Sequence, residues 1–230
     1  MSASPSALSL VVESWLRRGL VDTVRQLAEE QRFDRVHGVS TAGRVAVERL
    51  VKRGELPWPE TSEYQPVPAA LFRAALAAVP AAARAGAFVD LGCGKGRALV
   101  MAAEAGFRHL RGVDLARALA CRAELNAEAI AARLGVPLDW RIEVADAAER
   151  GFEADETCVF LFHPFGRLVL RRVLGRLAHS LARCPRPLAL VYVNPQHREV
   201  VAECSALVEY ALGETRIAEV LDWAVYVSRG

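Results

Sequence analysis

The chain reads as an α/β protein built on a doubly wound sheet, preceded by a helical N-terminal extension. From Phe88 onwards, short apolar runs alternate with amphipathic helical stretches, the pattern of a parallel sheet covered on both faces. The first run passes into its helix through the glycine-rich turn Leu91-Gly92-Cys93-Gly94-Lys95-Gly96. A hydrophobic content of 53% over 230 residues is enough to bury a sizeable core and excludes a disordered chain.

The elements follow in order. Ser4-Pro5 is a cap followed by proline at the first helical position, and Leu8, Val12, Trp15, Leu16, Leu20, Val24 and Leu27 continue at helical spacing. This stripe predicts an amphipathic helix packed on the main domain, with an active-site cover or a dimer contact as alternative uses. Phe33 to Gly43 is polar and glycine-bearing, and predicts an ordered loop. A short helix is expected over Val45 to Val51. Gly54 and the proline-bearing stretch Pro57 to Pro68 then divide an extension, residues 1–63, from a main domain, residues 64–230. A helix carrying Leu71, Phe72, Leu76 and Val79 precedes the first strand.

Strands are expected at Ala87 to Val89, His109 to Val113, Trp140 to Val144, Val159 to Phe162 and Leu188 to Val193. Helices are expected at Arg97 to Ala105, Arg117 to Leu134 and Leu168 to Ala182, with a short one after Gln196. The last apolar stretches, Ala206 to Ala211 and Trp223 to Val227, have no helical pattern between them and are expected to pair antiparallel.

A net charge of +2 makes no demand for an anionic partner, and nucleic acid is not expected. Nearly all basic residues are arginine, the lysines being Lys52 and Lys95, which reflects composition rather than phosphate binding. Cys93, Cys121, Cys158, Cys184 and Cys204 are odd in number and lack a Cys-x-x-Cys spacing, so reduced thiols are expected, without a disulfide framework or metal site. The first residues show no basic region before an apolar core, and no apolar run approaches the roughly 20 residues of a membrane span. A cytoplasmic location is the expectation.

The spacing of the glycine turn bears on the cofactor. A dinucleotide loop needs glycine at its first, third and sixth positions, and the sixth position here is Arg97. That disfavours a nicotinamide oxidoreductase. S-adenosylmethionine has no phosphate, yet its amino-acid moiety and ribose need the close backbone approach that glycine permits, and Asp90 can face its ammonium group. The order Asp90-Leu91-Gly92-Cys93-Gly94-Lys95-Gly96 resembles the first motif of class I S-adenosylmethionine-dependent methyltransferases. The resemblance covers roughly residues 64 to 230. It implies a Rossmann-like seven-stranded sheet whose reversed last strand inserts beside the fifth and sixth. It also implies S-adenosylmethionine as cofactor, with Asp90, Gly92, Cys93, Gly94 and Gly96 around it.

Ligands in such sheets sit at the carboxyl ends of the strands. Asp114, ending the second run, can accept both ribose hydroxyl protons, or it can cap the next helix. Asp146 follows the third run, where the resemblance places an acidic side chain on the adenine amino group; Leu115 and Ala147 flank these carboxylates and belong to the same implied site. The fourth run ends in His163-Pro164-Phe165-Gly166. In amine-methylating relatives this position commonly carries Asn or Asp, then Pro and an aromatic, which orient the acceptor amine. Here His163 replaces that residue, so it is either a general base suited to a hydroxyl or acid acceptor, an amine-orienting group, or a structural histidine. Pro164, Phe165 and Asn194, the last in Val193-Asn194-Pro195, are candidates for the acceptor side.

Upstream, Tyr64-Gln65-Pro66-Val67-Pro68 is similar to segments preceding the glycine motif in a bacterial methyltransferase family distantly like the non-SET histone-lysine and adenine nucleotide translocase lysine methyltransferases. There the segment folds over the cofactor, which makes Tyr64 a candidate lid. The stretch Phe33-Asp34 to Gly43 is similar to the N-terminal part of that family. The expected activity is methyl transfer to an amine of a protein or small molecule. O-methylation with His163 as base and a catalytically silent binding subunit are the alternatives.

Overall fold

The computed structural model describes residues 20–46, 62–217 and 220–229. The Ser4-Pro5 cap, the apolar positions Leu8 to Leu16 and the segment from residue 47 to Pro59 lie outside the described residues, as do the side chains of residues 20–22.

Helices α1 (Leu20–His37) and α2 (Ala69–Ala77) lead into β1 (Ala87–Leu91). Then come α3 (Arg97–Glu104), β2 (His109–Asp114), α4 (Arg117–Leu134), β3 (Asp139–Val144), β4 (Glu156–Phe162) and α5 (Arg167–Arg183). The chain closes with β5 (Ala189–Val193), α6 (Arg198–Ala202), β6 (Leu207–Arg216) and β7 (Val220–Ser228). One seven-stranded sheet runs β3-β2-β1-β4-β5-β7-β6. Its first five strands are mutually parallel, and β7 is antiparallel to both β5 and β6. The expected reversed last strand is therefore present, and every expected strand and helix of residues 69–229 is found within a few residues of its expected bounds.

Side-chain alternation divides the core into two layers. Phe88 and Phe160 face one way, where they meet Phe72 of α2 and Phe107 with ring centroids 5.2 to 6.0 Å apart. Val89, Leu91, Val159 and Leu161 face the other way, onto Leu170, Val173, Leu174 and Leu177 of α5. Each such side chain, fully withdrawn from water, contributes about 1.5–3 kcal/mol. The two layers hold the carboxyl ends of β1, β2 and β4 side by side.

The N-terminal part departs from expectation. Helix α1 continues through Phe33 to His37, where a loop was expected, and stops at Gly38, whose φ of 68° is left-handed. Among its described side chains the buried ones are Thr23, Glu30, Phe33 and His37, whereas Val24 is 57% exposed. The described part of the helix docks through polar and aromatic contacts: Phe33 stacks on His37, the Arg97 guanidinium lies 4.0 Å over the Phe33 ring, and His37 Nε2 is 3.0 Å from Glu104. Val45, expected to open a helix, forms an antiparallel bridge with Tyr64.

Candidate active site

The turn after β1 is shaped by its glycines. Gly94 has a φ of 55°, and a Cβ there would lie 2.1 Å from the Tyr64 ring, so the tyrosine rests directly on the bare backbone. At Gly92, φ is 77° and a Cβ would fall 2.3 Å from Cβ of Pro164, which brings the β4 end against the turn. The turn is tied to β2 by the Gly92 and Cys93 amides, both donating to the Val113 carbonyl at 2.8 and 3.0 Å. Gly96 leads into α3, and Cys93 is buried beneath the turn.

Asp114 at the end of β2 accepts hydrogen bonds from the amides of Gly94 and Ala116, each at 2.8 Å. One carboxylate thus holds the glycine turn and the entry to α4 together. Asp90 at the end of β1 is only 4% exposed, and burial, with the Asp114 charge beside it, pushes its carboxyl up to about 8. Asp146, after β3, accepts the Ala148 amide at 2.8 Å.

Between these strand ends lies a cavity of about 400 Å³. Gly92, Asp114, Leu115, Asp146 and Ala147 line one side, and His163, Pro164 and Phe165 line another. Ser62, Glu63, Tyr64 and Gln65 form a strap across it. The strap is anchored at both ends: the Ser62 amide donates to the Pro164 carbonyl at 3.2 Å, and the Tyr64 hydroxyl donates to the Thr41 carbonyl at 2.7 Å. Thr41 is itself held by Asp34, which accepts from its amide and its hydroxyl at 2.7 and 2.6 Å. Lys95 Nζ donates to the Ala42 carbonyl at 2.6 Å, and Asn126 bonds both Ser40 and the Lys95 carbonyl. The loop 38–46 is thereby latched to the glycine turn.

His163 has a φ of 40°, unusual for a residue with a side chain, and its Nδ1 is 3.2 Å from the Tyr192 hydroxyl. Burial, helped by the nearby His197, holds its pKa below the ordinary imidazole value, so the ring is neutral near neutral pH. Asn194 ends β5 with a φ of 49°, but its side chain is bonded to Gln196 and it does not line the cavity. Asp90, Cys93, Gly94 and Gly96 also lie outside the lining, beneath or beside the turn that Asp114 and Tyr64 cover. Asn126 and Tyr192 carry no local sequence signal for their contacts, because their partners lie 29 to 86 residues away, whereas Asp34 and Thr41 fall in the Phe33 to Gly43 stretch and bond each other across seven residues.

No protein-family model and no curated protein sequence matches the chain. Solved structures do. A tRNA methyltransferase, provisionally assigned, from Streptococcus pneumoniae superposes with a TM-score of 0.53 at 14% identity, over 71% of this chain and 71% of its own. A provisionally assigned S-adenosylmethionine-dependent methyltransferase from Listeria monocytogenes gives 0.53 at 10% identity, over 70% and 99%. Magnesium protoporphyrin IX methyltransferase from Synechocystis PCC 6803, solved with bound S-adenosylmethionine, gives 0.51 at 14% identity with both chains covered fully. The fold is that of class I methyltransferases. In that fold the cavity lies where α/β sheets of this winding take their ligands, at the carboxyl ends of the strands on either side of the switch between β1 and β4. Among the described residues, no helix is long and apolar enough to cross a membrane.

Proposed function

We propose that the protein is an S-adenosylmethionine-dependent methyltransferase acting on an amine, of a protein or a small molecule, with residues 1–63 as a helical extension on a catalytic domain of residues 64–230. The observation that carries this reading is the convergence of Gly92, Asp114, Asp146 and His163 on one cavity in a class I fold. The residues fit the cofactor. Asp114 and Asp146 offer acceptor oxygens for the ribose hydroxyls and the adenine amino group, and Leu115 and Ala147 offer apolar contact. Gly94 leaves its backbone bare, with the Tyr64 ring packed against it where a Cβ would stand. When bound, the cofactor supplies an electrophilic methyl group.

The chain's own task is to hold the acceptor nitrogen in line and exclude water. His163, Pro164 and Phe165 flank the acceptor end, and the 62–65 strap closes the cavity. Cavity charge supports a cationic or neutral acceptor. Its charged lining residues are Glu63, Asp114 and Asp146, with no lysine or arginine among the described lining residues, which disfavours a phosphate-rich acceptor. Glu63 is paired with Arg44 at 3.1 Å, which leaves the strand-end carboxylates to set the field.

The preference for an amine rests on the likeness of Tyr64 to Pro68, and of the His163-Pro164-Phe165 order, to the lysine-methylating families. O-methylation is the second reading, favoured by the neutral imidazole of His163, which could take a hydroxyl proton. A cytoplasmic location accompanies both. Isothermal titration with S-adenosylmethionine and with nicotinamide cofactors tests the class of enzyme. Binding of a nicotinamide cofactor in preference would reject the reading, and binding without labelled-methyl transfer to any fraction of a cell extract would leave a silent binding subunit.

A further inference from the structure

We propose that Arg97 is a positioning residue for the amino-acid end of the cofactor: its buried charge offsets Glu30 and Asp34, so that Tyr64 and the loop 38–46 cover the glycine turn without turning net negative charge on the cofactor's carboxylate. This assignment rests on the methyltransferase reading. Among the described residues three arginines are buried. Arg111 donates to Asp139 at 2.7 Å and Arg150 to Glu156 at 2.9 Å, whereas Nε and Nη1 of Arg97, both enclosed, have no hydrogen-bond partner. A buried cation without a bonded acceptor is costly, and an apolar side chain would fill the same slot against Phe33. The charge is therefore what requires explanation.

Its surroundings supply one. Arg97 opens α3 directly after Gly96, is 4% exposed, and sets its guanidinium 4.0 Å over the Phe33 ring of α1. Glu30 and Asp34 of the same helix act electrostatically on Arg97 and on Lys95. Both carboxylates are bonded to loop amides: Glu30 accepts from Gly43 at 3.0 Å, and Asp34 from Thr41 and Ala42, each at 2.7 Å. Lys95 Nζ is engaged by the Ala42 carbonyl and lies 5.0 Å from the centroid of the Tyr64 ring. Burial pushes the Tyr64 phenol well above its ordinary value, and of the charges acting on it that of Arg97 is the largest. Asp90 also faces this ring, but with its carboxyl raised to about 8 it is largely uncharged at neutral pH. Two carboxylates from α1 and two cations from the turn and α3 thus balance around Tyr64.

The balance bears on the ligand because Tyr64 lines the cavity, whereas Lys95 and Arg97 do not. With Asp114 and Asp146 assigned to the ribose and the adenine, the amino-acid end of the cofactor falls to the part of the cavity beneath Tyr64 and beside Gly92. That end carries a carboxylate, and the charged lining residues are Glu63, Asp114 and Asp146, with no cation among the described ones. With Arg97 in place, the cluster beyond the Tyr64 ring is neutral. Without it, two carboxylates face one ammonium, and the excess negative charge is poorly screened in a buried place and opposes the cofactor's carboxylate. The adenine and ribose, held at the ends of β2 and β3, do not carry that charge and are indifferent to the change.

The test is calorimetric titration of the full chain with S-adenosylhomocysteine and with 5′-methylthioadenosine, two thioethers that differ in that only the first carries the amino-acid end. Arg97→Met should weaken S-adenosylhomocysteine roughly fivefold to twentyfold, the scale of one uncompensated charge nearby, and 5′-methylthioadenosine by less than about twofold. Arg97→Lys, which keeps the charge, should stay within about threefold of wild type for both ligands. Adding Glu30→Gln to Arg97→Met restores neutrality while leaving an oxygen for the Gly43 amide, and should recover most of the lost affinity. If Arg97→Met does not fold, as judged by circular dichroism, Arg97→Gln carries the same comparison. Equal losses for the two ligands, no loss for either, a lysine variant as impaired as the methionine one, or no recovery with Glu30→Gln would overturn the proposal. Failure of the methyltransferase reading would appear separately, as wild-type protein that binds neither ligand.

Discussion

Replacing Asp114 by alanine should weaken the protein before any ligand is added. The carboxylate accepts the Gly94 and Ala116 amides, each at 2.8 Å, so its removal strands two donors in a partly buried turn. Bonds to a charged group contribute about 1.5–3 kcal/mol each, and partial exposure places the pair near the lower end, on the order of 2–4 kcal/mol together. For a chain of this length, each kcal/mol moves Tm by roughly 2–4 °C, so a fall of about 5–15 °C is expected by calorimetry of the ligand-free protein. Cofactor affinity should fall as well, through lost ribose contacts and a disordered glycine turn. Asp114→Asn retains one carbonyl acceptor but turns an NH2 group towards the other amide, and should lie between wild type and alanine. A Tm within about one degree of wild type for Asp114→Ala would refute the structural half of this reasoning, and unchanged S-adenosylmethionine affinity would remove Asp114 from the ligand site.

Gly94→Val places a branched side chain where the Tyr64 ring stands, 2.1 Å from the ideal Cβ, at a φ of 55°; cofactor binding should be abolished, while circular dichroism shows the sheet largely retained. Asp90 has its carboxyl raised from an ordinary 3.8 to about 8, so the folded protein binds the extra proton between those values and loses stability as pH rises through them. Asp90→Asn should flatten that fall, and a melting profile with the same slope in both proteins would contradict the assignment. His163→Asn should keep most activity, because asparagine accepts the left-handed backbone more readily and offers an acceptor oxygen; a loss of about a hundredfold or more would point to a general base and to O-methylation instead.

The order of elements from Ala69 to Ser228 was legible in the sequence because each is encoded locally. Apolar runs of four to seven residues such as Val159 to Phe162, the glycine turn after Leu91, and the uninterrupted helical period of Arg117 to Leu134 each declare themselves within one window. The strand-end carboxylates Asp114 and Asp146 and the His163-Pro164-Phe165 sequence were also visible, since a doubly wound sheet brings its carboxyl ends to one edge whatever the loops do. The N-terminal region was not legible in this way. Asp34 to Thr41, Lys95 to Ala42, Asn126 to Ser40 and Tyr64 to Thr41 are side-chain to backbone bonds, and most of them span 23 to 86 residues; no periodicity encodes them. They latch residues 40–42, just beyond the end of α1, to the glycine turn and its cover. Tertiary packing likewise decided that Asp114 holds the turn, that Asn194 lies beside the cavity rather than in it, and that Tyr192, a core residue by its sequence context, reaches His163. Local patterning determines which elements form, whereas bonds between distant residues determine which side chains meet, and the candidate site is made of the latter.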